Sequence, residues 1–214
     1  MSNTQDGFDL QFVTECFKDS LSGEDGRQVL LGKYIEGFKE IDRFFRMMGT
    51  LFGFIAKDIT EKCRILNEHK AEHPDHFSTV QSMLEYEVTN NLTTCKTQSG
   101  LLSGSRTLLR LHRSLQFFAK FLDKVAEIED DAKCSDVASD VYGKTLGEFH
   151  PWLIRQAAYL AMRSLPLKKD LIENYVKQSH EEAKELVPLL VKSMLEVYDI
   201  IQALYEEKSL LTLP

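Results

Sequence analysis

The stretch from Ser105 to Lys124, SRTLLRLHRSLQFFAKFLDK, narrows the possible folds more than any other part of the chain. At about 100° per residue, Arg106, Arg110, Arg113, Phe117 and Phe121 fall on one helical stripe, while Leu108, Leu111, Leu115, Phe118 and Leu122 fall roughly opposite. A helix with two faces to bury needs a layer packed on each side of it. The leucine face is ordinary core. The other face begins with arginines and turns aromatic within two turns, which suits a molecule with an anionic head and a greasy tail. Like charges four residues apart destabilise a bare helix by about 0.2–0.5 kcal/mol per pair, so a neutralising group is expected. An anion is the simplest candidate; the alternative is a solvated edge, or pairing with Asp and Glu of neighbouring helices.

Helical periodicity dominates the rest of the chain, and no alternating strand pattern stands out. Asp9 is placed to cap a first helix carrying Phe12, Val13, Cys16, Phe17 and Leu21, which ends at the turn-prone run 22–26. A long segment follows from about Lys33 to Lys70, with Gly49 and Gly53 as weak points, then the HPDH loop (His73 to His76) and a helix over Val80 to Leu92. After the arginine helix, a further one spans about Lys133 to Glu148, and Pro151 is a natural first residue for the next, which reaches Leu165. A short helix near Lys168–Val176 and a last one from Ser179 to Glu207, with Pro188 starting or kinking a helix within it, complete an all-α fold of about eight helices.

A chain of 214 residues with 43% hydrophobic content buries a sizeable core, and with no linker or repeat, one domain spanning residues 1–214 is expected. A net charge of −7 excludes the broadly basic footprint of a nucleic-acid binder, so any positive site must be local. Cys16, Cys63, Cys95 and Cys134 form no CxxC pair and read as reduced packing residues of a cytosolic protein. The opening MSNTQDGFDL has neither a basic segment nor an apolar run, so secretion is not expected. The longest apolar stretch, Met47 to Ala56, is far short of the roughly 20 residues that span a bilayer.

Charged residues appear where apolar ones belong. Phe44, Met47, Leu51, Ile55, Asp58, Lys62 and Ile65 share one stripe, and Asp58 with Lys62 interrupts it. Buried charge is costly without a partner, so these two need each other or a ligand; the alternative is a surface pair at the stripe's edge. His150, ahead of Pro151, either caps its own helix or donates to a ligand carbonyl. Trp152 suits either the core or a headgroup layer. His69, His73 and His76 with Asp75 lack zinc-type spacing, and Ser99 to Ser105 lacks the GxxxxGK[ST] phosphate-loop pattern. No GxSxG, HExxH or acid–base carboxylate pair appears, so neither an enzyme, a metal nor a cofactor is expected.

Lys57-Asp58 with Lys62, the run Arg106 to Arg113, and His150-Pro151-Trp152 together resemble the glycolipid transfer protein superfamily, over nearly the whole chain and including the closing Ser209 to Pro214. The resemblance implies a two-layer, all-α sandwich with a surface headgroup site and a collapsible apolar pocket, carrying sphingolipids between membranes. The glycolipid-binding branch has an Asp, an Asn one turn later and a Lys a further turn on, where this chain has Asp58, Lys62 and Ile65; its sugar-stacking Trp corresponds to Arg110. Sugar favours stacking and neutral hydrogen bonds, whereas a phosphomonoester at about −1.5 to −2 charge favours Arg and Lys.

The expected cargo is therefore ceramide-1-phosphate. Lys62, Arg106 and Arg110 would bind phosphate with Arg113 in support, Asp58 would accept from the ceramide amide and adjacent hydroxyl, and His150 would donate to the acyl carbonyl. Phe44, Leu51, Phe54, Ile55, Phe117, Phe121 and Val141 would surround the tails, and Trp152 with Arg155 would touch the membrane. The expectation is a cytosolic monomer in transient peripheral contact with Golgi, plasma or other internal membranes. A neutral glycosphingolipid carrier, a lipid-sensing interaction protein and a sphingolipid-phosphate enzyme remain the alternatives.

Overall fold

The computed structural model describes residues 6–98 and 100–214; the first five residues, at the start of the segment read above for a leader, and Ser99 lie outside them. In chain order the elements are α1 (Leu10–Ser20), the antiparallel pair β1 (Leu21–Ser22) and β2 (Gln28–Val29), α2 (Leu31–Met47), α3 (Gly53–Glu72), α4 (Val80–Thr89), α5 (Gly104–Glu127), α6 (Cys134–Gly143), α7 (Trp152–Met162), α8 (Lys168–Tyr175) and α9 (His180–Glu207). Two 3-10 turns, Thr50–Phe52 and Leu146–Phe149, precede α3 and α7. The fold is an all-helical sandwich in which α5 packs against α9, α3, α6 and α4, as its two buried faces require.

Local chemistry accounts for the helix ends. Asp9 Oδ1 accepts from Phe12 N at 3.1 Å, which starts α1 with Leu10, Val13 and Phe17 turned inward. Ser179 and Glu182 form a reciprocal capping box on α9, and that helix continues through Pro188 instead of restarting there. The end of α6 comes earlier than expected, at Gly143, and Pro151 caps α7 with ψ 155° instead of entering it.

The long segment from Lys33 to Lys70 is two helices. Gly49 adopts φ 94°, a conformation open to glycine, and the 3-10 turn after it winds more tightly than an α-helix. The stripe read from Phe44 to Ile65 therefore does not run straight: Phe44 is buried, but Leu51 is 47% exposed.

The arginine helix is anchored at its N-terminus by a carboxylate from α4. Glu87, 2% exposed, accepts from the backbone of Gly104 at 2.6 Å and of Ser105 at 2.8 Å, and from Ser105 Oγ at 2.5 Å. A negative group among free N–H groups at a helix start is satisfied and favoured by the helix dipole. On the α9 side, Tyr205 donates to Ser105 O at 2.7 Å, and the His112 ring stacks on Tyr198 at 4.2 Å. Burial pushes the His112 pKa down to about 4, so it is neutral at pH 7.

Phe8, Phe44, Phe45 and Phe118 form a core cluster with ring centroids 4.8–6.0 Å apart. Cys16, Cys63 and Cys134 are free and buried, and burial pushes their thiols up to about 11 or 12, which suits inert packing residues. Among the described residues no helix is long and apolar enough to cross a membrane.

Candidate functional site

A cavity of about 500 Å³ opens between α2, α3, α5, α6 and α7, within the range of about 300–1,000 Å³ common for ligand pockets. Its depth is apolar, with Phe38, Ile41, Phe45, Phe118, Phe121 and Met162 on the wall. Of the residues expected around the tails, Phe54, Ile55, Phe117 and Phe121 line it, whereas Phe44 and Val141 are packed in the interior and Leu51 faces solvent. Leu51 follows the break at Gly49, in the 3-10 turn, and so leaves the stripe that an unbroken helix would continue.

The same cavity is lined by Asp58, Lys62, Arg110, Arg113 and His150. These residues come from α3, α5 and the turn before α7, so the fold brings together what the sequence keeps up to about 90 positions apart. Lys62 is only 7% exposed and is ion-paired to Asp58, whose side chain is 63% exposed. Arg106 does not line the cavity; it lies one turn further along α5, where its Nε donates to the Pro214 backbone oxygen at 3.1 Å.

The arginines are held by main-chain oxygens. Arg110 Nη2 donates to Pro214 O at 3.3 Å and Arg113 Nη2 to Leu211 O at 2.8 Å, and no Asp or Glu side chain among the described residues pairs with Arg106, Arg110 or Arg113. The Leu211 carbonyl orients the Arg113 guanidinium without cancelling its charge, so that arginine keeps a local positive potential in an acidic protein. Burial, and then the neighbouring Arg110, push the Arg113 pKa below its ordinary value. The Arg113 guanidinium also sits 3.9 Å from the centre of the Phe149 ring, a cation–π contact.

His150 Nδ1 lies 2.7 Å from the Tyr142 hydroxyl. Burial is the main cause holding the His150 pKa below its usual value; Lys62 and Arg113 add to it, and Asp58 opposes them. His150 is thus neutral at pH 7. Sequence reasoning missed Tyr142, Phe149 and the backbone oxygens of Leu211 and Pro214. A tyrosine on the apolar face of α6, whose hydroxyl must find a partner, was the one usable signal.

Trp152 and Arg155 are exposed on α7, and Trp152, Leu153 and Leu160 are 65%, 70% and 57% exposed. Ile154 and Phe54 belong both to this apolar surface and to the cavity wall, so the two are continuous. His69 donates to or accepts from no acid; its Nε2 contacts Leu102 O at 2.8 Å, and no cluster able to hold a metal occurs among the described residues.

Stacked helices around an apolar cavity with cations at its mouth define a class of all-helical proteins that enclose an amphipathic molecule. The family model described as Glycolipid transfer protein (GLTP) matches residues 29–177, and the chain belongs to that family. It is 38% identical to the ceramide-1-phosphate transfer protein of Mus musculus over 218 residues and 34% identical to that of Homo sapiens over 216, with all of each chain covered. Its fold superposes with a TM-score of 0.88 on the apo crystal structure of the mouse protein, covering 97% of this chain and 100% of that one. The human protein in complex with 2:0 ceramide-1-phosphate matches with the same TM-score and coverage at 34% identity.

Proposed function

We propose that the protein carries ceramide-1-phosphate between membranes, working as one domain and as a monomer. The observation that carries the reading is that Lys62, Arg110 and Arg113 stand at the mouth of an apolar cavity with no Asp or Glu side chain among the described residues on the arginines. Phosphate would be gripped by Lys62 and Arg110, with Arg113 in support and Arg106 at the rim. Asp58 would accept from the amide N–H and the neighbouring hydroxyl, and neutral His150 would donate to the acyl carbonyl. The apolar surface of α7 around Trp152, with Arg155 beside it, would rest on the bilayer while the chains pass between membrane and cavity. Each methylene moved out of water is worth about 0.8 kcal/mol, so spontaneous desorption of a long-chain lipid is slow and an enclosing carrier is useful. The relatives' names, and the human protein solved with ceramide-1-phosphate, support this choice of cargo over a neutral glycolipid.

A vesicle-to-vesicle transfer assay tests the reading. Arg110→Leu removes a charge-assisted contact worth about 1.5–3 kcal/mol, so transfer should fall roughly ten- to 150-fold. Near-normal transfer by that variant, or equal transfer of galactosylceramide by the wild type, rejects the phosphate assignment.

A further inference from the structure

Tyr142, on the inward side of α6, is 2% exposed and held edge-on by Phe117 at 5.9 Å and Tyr159 at 5.4 Å. Its hydroxyl has His150 Nδ1 as its hydrogen-bond partner among the described residues, at 2.7 Å. A buried hydroxyl proton left unpaired costs more than a made bond returns, so the phenol donates and Nδ1 accepts. A nitrogen that accepts there carries no hydrogen, and the single proton of a neutral imidazole then sits on Nε2. Burial keeps both groups neutral at pH 7, pushing the phenol up to about 12 and the imidazole below its usual value. His150 Nε2 makes no hydrogen bond within the described residues, while its ring lines the cavity.

Resting on the function proposed above, we infer that Tyr142 is a positioning residue: its hydroxyl fixes His150 as an Nε2–H donor toward the acyl carbonyl of a bound ceramide. The opposite tautomer would turn a lone pair toward that carbonyl and leave the phenol proton unpaired. Tyr142→Phe keeps the ring and removes only the tautomer control.

The test combines imidazole nitrogen NMR at neutral pH with ceramide-1-phosphate transfer between vesicles, on wild type and Tyr142→Phe, each also in a His150→Gln background. A glutamine amide has no tautomers, so in that background there is no proton placement for Tyr142 to control. The wild-type imidazole should show an Nε2–H signature that becomes mixed in Tyr142→Phe, with transfer slowed roughly three- to tenfold, the worth of one neutral hydrogen bond. In the His150→Gln background the same substitution should change transfer less than twofold. An Nδ1–H wild type, an unchanged signature in Tyr142→Phe, or equal slowing in both backgrounds overturns the inference. If the wild type does not move ceramide-1-phosphate, the proposed function fails, while the NMR comparison still decides the tautomer assignment.

Discussion

Replacing Lys62 with methionine should separate binding from folding. Lys62 is 7% exposed, while the Asp58 side chain opposite is 63% exposed and remains hydrated without it. A half-exposed ion pair contributes at most about 1 kcal/mol, whereas withdrawing an ammonium from water costs several. Methionine conserves the stem's volume and removes the desolvation cost, so the melting temperature of Lys62→Met should stay within about 2–4 °C of wild type, the shift of about 1 kcal/mol at this size. The ligand sees the opposite balance. A desolvated ammonium lost from a phosphate contact costs about 2–3 kcal/mol, so transfer should slow roughly 30- to 150-fold. Arg106→Leu, at the rim and off the cavity wall, should cost under about 1 kcal/mol, or roughly fivefold. Vesicle transfer and thermal melts of both variants check the ordering. Lys62→Met transferring within threefold of wild type, or Arg106→Leu proving the more damaging, would refute the argument from burial.

Glu87→Ala strips the acceptor from Gly104 N and Ser105 N in a buried place and should destabilise the fold by about 2–4 kcal/mol in denaturant titration. For Asp9, burial raises the carboxyl pKa, but hydrogen bonds from Lys177, Gln178 and Phe12 N outweigh it and leave the value below 3.8. The carboxylate's contribution is therefore complete above about pH 4 and is lost as pH falls through the depressed folded value. Asp9→Ala should cost about 1–2 kcal/mol at pH 7 and progressively less below pH 4, read by melts across pH. Trp152→Ala removes a 65% exposed ring and should leave stability within about 0.5 kcal/mol. If the ring is buried in the bilayer surface, vesicle binding in a sedimentation assay should fall roughly tenfold.

How far the sequence was legible depends on the range of each signal. Asp9, Ser179 and the periodicity of α5 act within one or two turns, so the elements they start could be read directly. Gly49 and Gly53 marked weak points in the segment that proves to be α2 and α3, but neither which glycine breaks it nor the geometry of the break could be read, because a positive φ and a 3-10 turn are chosen by the packing around them. That choice moved Leu51 out of the stripe. Nothing in the local sequence marks Glu87, since its role depends on Gly104 lying close by: a Cβ there would meet Met83 and Phe77 at 2.7 Å.

The arginine stripe illustrates the limit at the site itself. Charge replacing apolar residues on α5 and α3 marked two halves of one place, but periodicity could not say whether acids from elsewhere saturate it. The structure supplies main-chain oxygens instead, a neutral one from Leu211 for Arg113 and one from Pro214 for Arg106 and Arg110, which no sequence pattern advertises. The difference matters physically. An Asp or Glu on these arginines would cancel their charge and repel an arriving phosphate, whereas the Leu211 carbonyl, once displaced from Arg113, leaves an uncharged group behind. Arg113 is thus held in place with its charge available, and no Asp or Glu side chain among the described residues competes for Arg106 or Arg110, which is the condition an anionic headgroup requires of an otherwise acidic protein.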